Sequence, residues 1–134
     1  MPTHTIGVTF KTDAGSVPIS ATAFNLKSEV NAALPVAAGQ TVTFTDVQFP
    51  AASINDYVVS LLSATGKTEA ATGSATLNWN GGNGNPQMLM VAKQPISHWP
   101  GSGSTNLFSA DISSLTVINT GTADLVIGIH IGLN

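Results

Sequence analysis

The chain has no cysteine and no arginine, and only 8% of its 134 residues carry charge. The missing cysteine excludes a disulfide framework, thiolate zinc sites and cysteine nucleophiles. The missing arginine removes the usual bidentate reader of phosphate and guanine. Four lysines against seven acidic residues give a net charge of -3, which supplies no electrostatic footprint for a phosphate backbone. Direct nucleic-acid binding is therefore not expected. No apolar run nears the ~18 residues that cross a bilayer. The opening Met1-Pro2-Thr3-His4-Thr5 also lacks a basic segment followed by an apolar one. Neither membrane insertion nor export is expected, and synthesis in the cytoplasm is the default.

Ordinary globular chains are about one quarter charged, so solubility here must rest on Thr, Ser and Asn. Two consequences are open. The domain is either stable with a Thr/Ser-rich sheet surface, or it is normally packed against copies of itself or a larger assembly. The length fits a single domain, residues 1–134, large enough to fold without a staple.

What is present is mostly period-two alternation. Ile6, Val8 and Phe10 alternate with Thr5, Gly7, Thr9 and Lys11, the pattern of a half-buried strand over His4 to Thr12. Asp13-Ala14-Gly15-Ser16 reads as a turn, and Val17-Pro18-Ile19 as extended chain with its proline at a sheet edge. Residues Phe24 to Leu34 are ambiguous: Leu26, Val30, Ala33 and Leu34 have helical spacing, but Pro35 follows at once. Over Gln40 to Phe49 the apolar phase slips from Val42 and Phe44 to Val47 and Phe49, which predicts a bulge or corner near Thr45-Asp46. Ile54 to Leu62 matches a helix face, yet Tyr57, Val58 and Val59 favour a strand, the assignment preferred here.

Ala75, Leu77 and Trp79 define the core face of a strand over Gly73 to Asn80, ahead of the Gly81-Gly82-Asn83-Gly84-Asn85-Pro86 loop. Met88 to Ala92 is a further strand, and His98 to Ser104 a second long loop. Ile112 to Asn119 and Asp124 to Leu133 read as a hairpin about Thr120 to Ala123. The last strand sets Leu125, Ile127, Ile129, Ile131 and Leu133 on one face. Its other face, Val126, Gly128, His130 and Gly132, carries alternate glycines, which implies close packing by a sheet, a loop or another subunit. About eight to ten short strands, with at most one or two short helical turns, predict a single all-β antiparallel sandwich, jelly-roll or Ig-like.

Catalytic and metal signatures are missing from the spacing. His4, His98 and His130 form no H-x-H or H-E-x-x-H pair; His4 and His130, in the first and last strands, suggest at most a two-histidine contact. The seven carboxylates are dispersed near turns, and no G-x-S-x-G elbow occurs. No catalytic, cofactor or metal residue is assigned. Interface or ligand contacts are expected, if anywhere, at Trp79, Trp99, His98 and Tyr57, the aromatic groups near the two glycine-rich loops. For Trp79 and Trp99 the favoured expectation is burial, in the core and at a sandwich end or interface.

The segment Asn106-Leu107-Phe108-Ser109-Ala110-Asp111-Ile112-Ser113-Ser114-Leu115-Thr116-Val117-Ile118-Asn119-Thr120-Gly121-Thr122-Ala123-Asp124 resembles the last hairpin of small tailed-bacteriophage virion proteins. Ala38-Gly39-Gln40-Thr41 and Ile54-Asn55-Asp56-Tyr57-Val58-Val59 are similar to extended segments of the same proteins, so the resemblance spans roughly residues 36–134. The chain departs from that pattern in having no arginine in its final strand. The resemblance implies a non-enzymatic structural subunit of the virion, most specifically a capsid decoration or cement protein. Its partners would be copies of itself and a major capsid or other virion protein. The alternative is a carbohydrate-binding or adhesion module, which an exposed Trp79 or Trp99 would favour.

Overall fold

Alternating apolar and polar side chains commit nearly the whole chain to strands. The computed structural model describes residues 2–13, 15–81 and 87–134, and for 6–12 and 15–24 its backbone alone. The strands are β1 (Thr3–Thr12), β2 (Gly15–Asn25), β3 (Ser28–Val36), β4 (Thr41–Phe44), β5 (Ile54–Ser63), β6 (Ser74–Trp79), β7 (Gln87–Val91), β8 (Ile96–His98), β9 (Leu115–Ile118) and β10 (Leu125–Leu133). The helical content among the described residues is one 3-10 turn, Ala51–Ser53. Of the predicted turn after β1, Ala14 lies outside the described residues, as do residues 82–86 of the first glycine-rich loop.

β3 to β10 form two four-stranded antiparallel sheets, ordered β3-β10-β5-β8 and β4-β9-β6-β7. Counting these eight strands from β3, the first sheet holds the first, eighth, third and sixth, and the second sheet the second, seventh, fourth and fifth. This is the jelly-roll order. Among chain neighbours in the sandwich, β6 and β7 alone are also sheet neighbours, whereas Ig-like sandwiches join more of their consecutive strands side by side.

One core lies between the sheets. Leu125, Ile127, Ile129 and Ile131 face it from β10, Tyr57, Val59 and Leu61 from β5, and Leu34 and Val36 from β3. Ala75, Leu77, Trp79, Met88, Met90, Leu115 and Val117 close it from the second sheet. Each large aliphatic group enclosed in this way contributes about 1.5–3 kcal/mol relative to exposure. Phe108 is the centre of an aromatic cluster, with ring centroids 5.4 Å from Phe49 and 5.0 Å from both Tyr57 and Trp79.

Four sequence expectations are corrected or resolved here. The segment 112–133 is not a hairpin, because β9 and β10 belong to different sheets. Residues between them arch across the sandwich edge around Asn119, which is 1% exposed. Its Nδ2 donates to Ala123 O at 2.8 Å and Val36 O at 3.3 Å, while its Oδ1 accepts from Gly121 N–H at 3.0 Å. Hairpins and arches use the same turn residues, so alternation on either side does not separate them. The ambiguous stretch 24–34 is extended: β2 ends at Asn25 and β3 runs from Ser28 through Pro35 on a sheet edge. In β3 the alternate residues Val30, Ala32, Leu34 and Val36 face the core, which overrides the accidental helical spacing. The slip after Phe44 is a corner at Thr45-Asp46, and Ile54 to Ser63 is a strand.

β1 and β2 stand apart as a two-stranded sheet of their own. Their register shifts between Val8 and Thr9, where Val8 faces Ser20 and Thr9 faces Pro18, leaving Ile19 as the extra residue of β2. The strand predicted at His4 to Thr12 therefore exists, but outside the two sandwich sheets.

Candidate functional site

Among the described residues, an enclosed polar arrangement lies where this ribbon meets the sandwich. Gly132 and Asp56 are paired positions on β10 and β5, on the outer face of the first sheet. An added Cβ at Gly132 would fall on Asp56 Oδ1 and stand 2.5 Å from Leu26 Cδ1 and 3.0 Å from His4 Nδ1. Only glycine leaves room for the chain to lie this close. Leu26 consequently has no exposed surface, and its N–H donates to Pro2 O at 2.9 Å.

His4 is held at both ring nitrogens. Nδ1 is 2.6 Å from Asp56 Oδ2, and Nε2 is 3.0 Å from Glu29 Oε2. Asp56 is 3% exposed although it is an outward-facing carboxylate, and Asn55 Nδ2 donates to its other oxygen at 3.1 Å. Burial acts to lower the His4 pKa, but the hydrogen bonds and negative charges of Asp56 and Glu29 outweigh it and raise the pKa above 6.5. Both ring nitrogens face carboxylate oxygens, so protonation of the ring lets both donate. Among the described residues both ring nitrogens are engaged by carboxylates and neither by a serine hydroxyl, the contact a serine-type triad needs.

Beside the clasp lies an open cleft of about 440 Å³, lined by Thr3, His4, Thr5, Asn31, Asp56, Val58 and His130. His130 Nδ1 donates to Asn31 Oδ1 at 2.7 Å. The first and last strands thus do bring His4 and His130 to one cleft. Their partners are nevertheless a carboxylate pair and an amide, and no group of three or more metal-ligating side chains is placed to hold an ion among the described residues.

The four predicted contact residues lie elsewhere. Trp79 is 2% exposed, on the core face of β6 with Ala75 and Leu77. Tyr57 is 1% exposed, with its hydroxyl oxygen accepting from Leu107 N–H at 3.1 Å. Burial also raises the Tyr57 pKa, partly countered by that hydrogen bond. Both side chains pack in the core, which for Trp79 is the favoured expectation. His98 pairs with Tyr57 across β5 and β8, lies 5.5 Å from its ring, and bonds Ser104 Oγ at 3.0 Å. Trp99 is half-buried in the following turn, where its carbonyl accepts from Ser102 N–H. Tyr57 and His98 come together, while Trp79 joins Tyr57 only through Phe108.

The clasp itself was not foreseen. Its one sequence signal was the Gly128/Gly132 alternation, which implied close approach without identifying what approaches. The covering segment is the chain's own N-terminal part at Gly132, and the Leu62 side chain at Gly128, where an added Cβ would stand 2.9 Å from Leu62 Cδ1.

Comparison of the chain with protein-family models, with curated proteins and with solved structures finds no match. The jelly-roll assignment thus stands on strand order and the functional reading on geometry and chemistry.

Proposed function

We propose that the protein is a non-enzymatic structural subunit of a virion, most specifically a capsid decoration or cement protein. The supporting observation is the division of the molecule: a jelly-roll body carries a separate two-stranded ribbon fastened at its root. A body of this kind supplies shape and edges, and a ribbon supplies reach. Stabilisation would be mechanical and by mass action, copies binding equivalent positions on a shell and holding its assembled state. The low charge is consistent with this role, since little like-charge repulsion opposes close packing of copies. Copies of the chain and a major capsid or other virion protein are the partners, and no cofactor is required.

A carbohydrate-binding module is the weaker reading, because Trp79 is enclosed and Trp99 is half-buried. The deciding experiment is fractionation of particles encoded by the genome that carries this chain. Antibody raised against the purified protein should detect it in the banded particles, and shells lacking it should disrupt at lower temperature. Its absence from particles would overturn the reading, and retention on a glycan array that is lost in Trp99→Ala would establish the alternative.

A further inference from the structure

Among the described residues, sheet pairing joins β1 and β2 only to each other, so strand hydrogen bonding does not tie the ribbon to the sandwich. Among the described side chains, the hydrogen bonds that cross from β1 or β2 to the sandwich are the two made by His4. They reach two different strands, Asp56 on β5 and Glu29 on β3. Between those strands runs β10, whose Gly132 is paired with both residues. The ring thus spans three strands of the first sheet, over a glycine that leaves it room. Leu26, in the turn after β2, is the apolar part of the contact and has no exposed surface. From Lys27 onward the chain belongs to the sandwich, because the Lys27 N–H already donates to Leu133 O at 2.9 Å.

We propose that this root is a latch released by rising pH: with His4 protonated the ribbon is held on the first sheet, and with His4 neutral it swings away from Asp56 and Gly132 about residues 25–27. The two states differ in what the ring can donate. An imidazolium has a donor for each carboxylate, whereas a neutral ring has one donor and one lone pair. That lone pair then faces a carboxylate oxygen 2.6 or 3.0 Å away. Asp56 is the more demanding partner, since at 3% exposure its charge is shielded from water, and its other side-chain donor is Asn55 Nδ2. Glu29 faces the ring from β3, Asp56 from β5 and His130 from β10 across the cleft of about 440 Å³, while Lys27 in the adjoining turn is exposed. Both carboxylates touch the ring, whereas His130 bonds Asn31 Oδ1.

Release changes more than the root. Thr3, His4 and Thr5 wall the cleft on the ribbon side, opposite Asn31 and His130. Swinging the ribbon away removes that wall and bares Asp56, Gly132 and Leu26. Burial works against the charged ring, but the hydrogen bonds and charges of Asp56 and Glu29 outweigh it, so the docked ring titrates above 6.5. Docking is therefore strongest below the undocked histidine value of about 6.5, and weakens by up to about tenfold per pH unit from there to the docked value. The latch acts within one chain and is independent of the partners proposed above.

The experiment uses the full chain, which has no cysteine of its own. Asp13→Cys at the ribbon tip and Thr122→Cys in the β9–β10 arch, both exposed positions, carry a pair of spin labels whose separation is read by pulsed electron resonance. At about pH 5.5, above the ordinary carboxylate range and below that of histidine, a single narrow separation is expected. At about pH 9, well above the ordinary histidine value, a broad second population should grow at its expense. In His4→Gln, which cannot titrate, the two pH values should give the same distribution, whereas His130→Gln should respond as the parent does. A separation that stays narrow, or stays broad, at both pH values in the parent overturns the proposal. A response that persists in His4→Gln or disappears in His130→Gln also overturns it, since either result assigns the sensor to another group. Presence of the protein in particles, or its absence, has no bearing on these distances.

Discussion

The sandwich and the ribbon of this protein are held by different forces. The sandwich is secured by an apolar layer, continuous from Leu34 to Ile131 and centred on Phe108. The ribbon is secured at its root by a histidine between two carboxylates, by Leu26 and by the space that Gly132 leaves. Apolar burial is insensitive to pH and strengthened by excluded salts. An ion-paired imidazole responds to pH over the physiological range. One chain thus combines a body of constant shape with an attachment whose hold on its extension can be tuned.

The largest test of this contrast is Phe108→Ala, which removes the hub of the aromatic cluster. It should cost about 3–5 kcal/mol, read as a lower urea midpoint by tryptophan fluorescence. An effect below about 1 kcal/mol would mean that the cluster is not the keystone of the sandwich. Asn119→Ala leaves buried backbone groups of the β9–β10 arch without partners and should cost about 2–3 kcal/mol in the same assay. A neutral outcome would show that water replaces the amide in the arch.

Gly132→Ala sharpens the comparison from the other side. The new methyl displaces Leu26, His4 or Asp56 and should cost about 1–3 kcal/mol by overpacking. Hydrogen exchange at the Leu26 amide should accelerate more than exchange at core amides of β10. Uniform acceleration would show that root and body are a single cooperative unit. The smallest effect is that of pH. The folded His4 pKa is raised, so the clasp contributes fully below the unfolded histidine value near 6.5 and is lost as pH rises through the folded value. Leu26 exchange, corrected for intrinsic rate, should increase across that window and lose the dependence in His4→Gln. A flat profile in the native chain would remove charge from the account of the root.

The elements of the fold were legible because most of them use the simplest pattern there is. β5, β6 and β10 each place an unbroken apolar row on one side, and even the corner at Thr45-Asp46 shows as a slip of phase. Which strands would be neighbours was not legible, and the β9–β10 arch shows why. Alternation reports one face of one strand, whereas the sheet a strand joins depends on contacts such as Asn119 to Val36, 83 residues apart. The clasp was hidden for the same reason. His4, Glu29 and Asp56 are far apart along the chain and meet only after the ribbon root crosses the first sheet. β8 was missed because three residues carry too little alternation to stand out from a loop.

Strand order also has a consequence in time. β3 is the first strand of the sandwich to be made, and its sheet partner β10 is the last, with Leu34 facing Ile127 and Val36 facing Leu125. The single sandwich hairpin, β6–β7, is the one pairing available early. Everything else awaits closure of long loops, which slows folding toward the ms–s range typical of non-local β topologies. Throughout synthesis both edges of β3 stay open until the final nine-residue strand leaves the ribosome. The first sheet is thus the later of the two to close, since β4, β6, β7 and β9 of the second sheet are all made before β10.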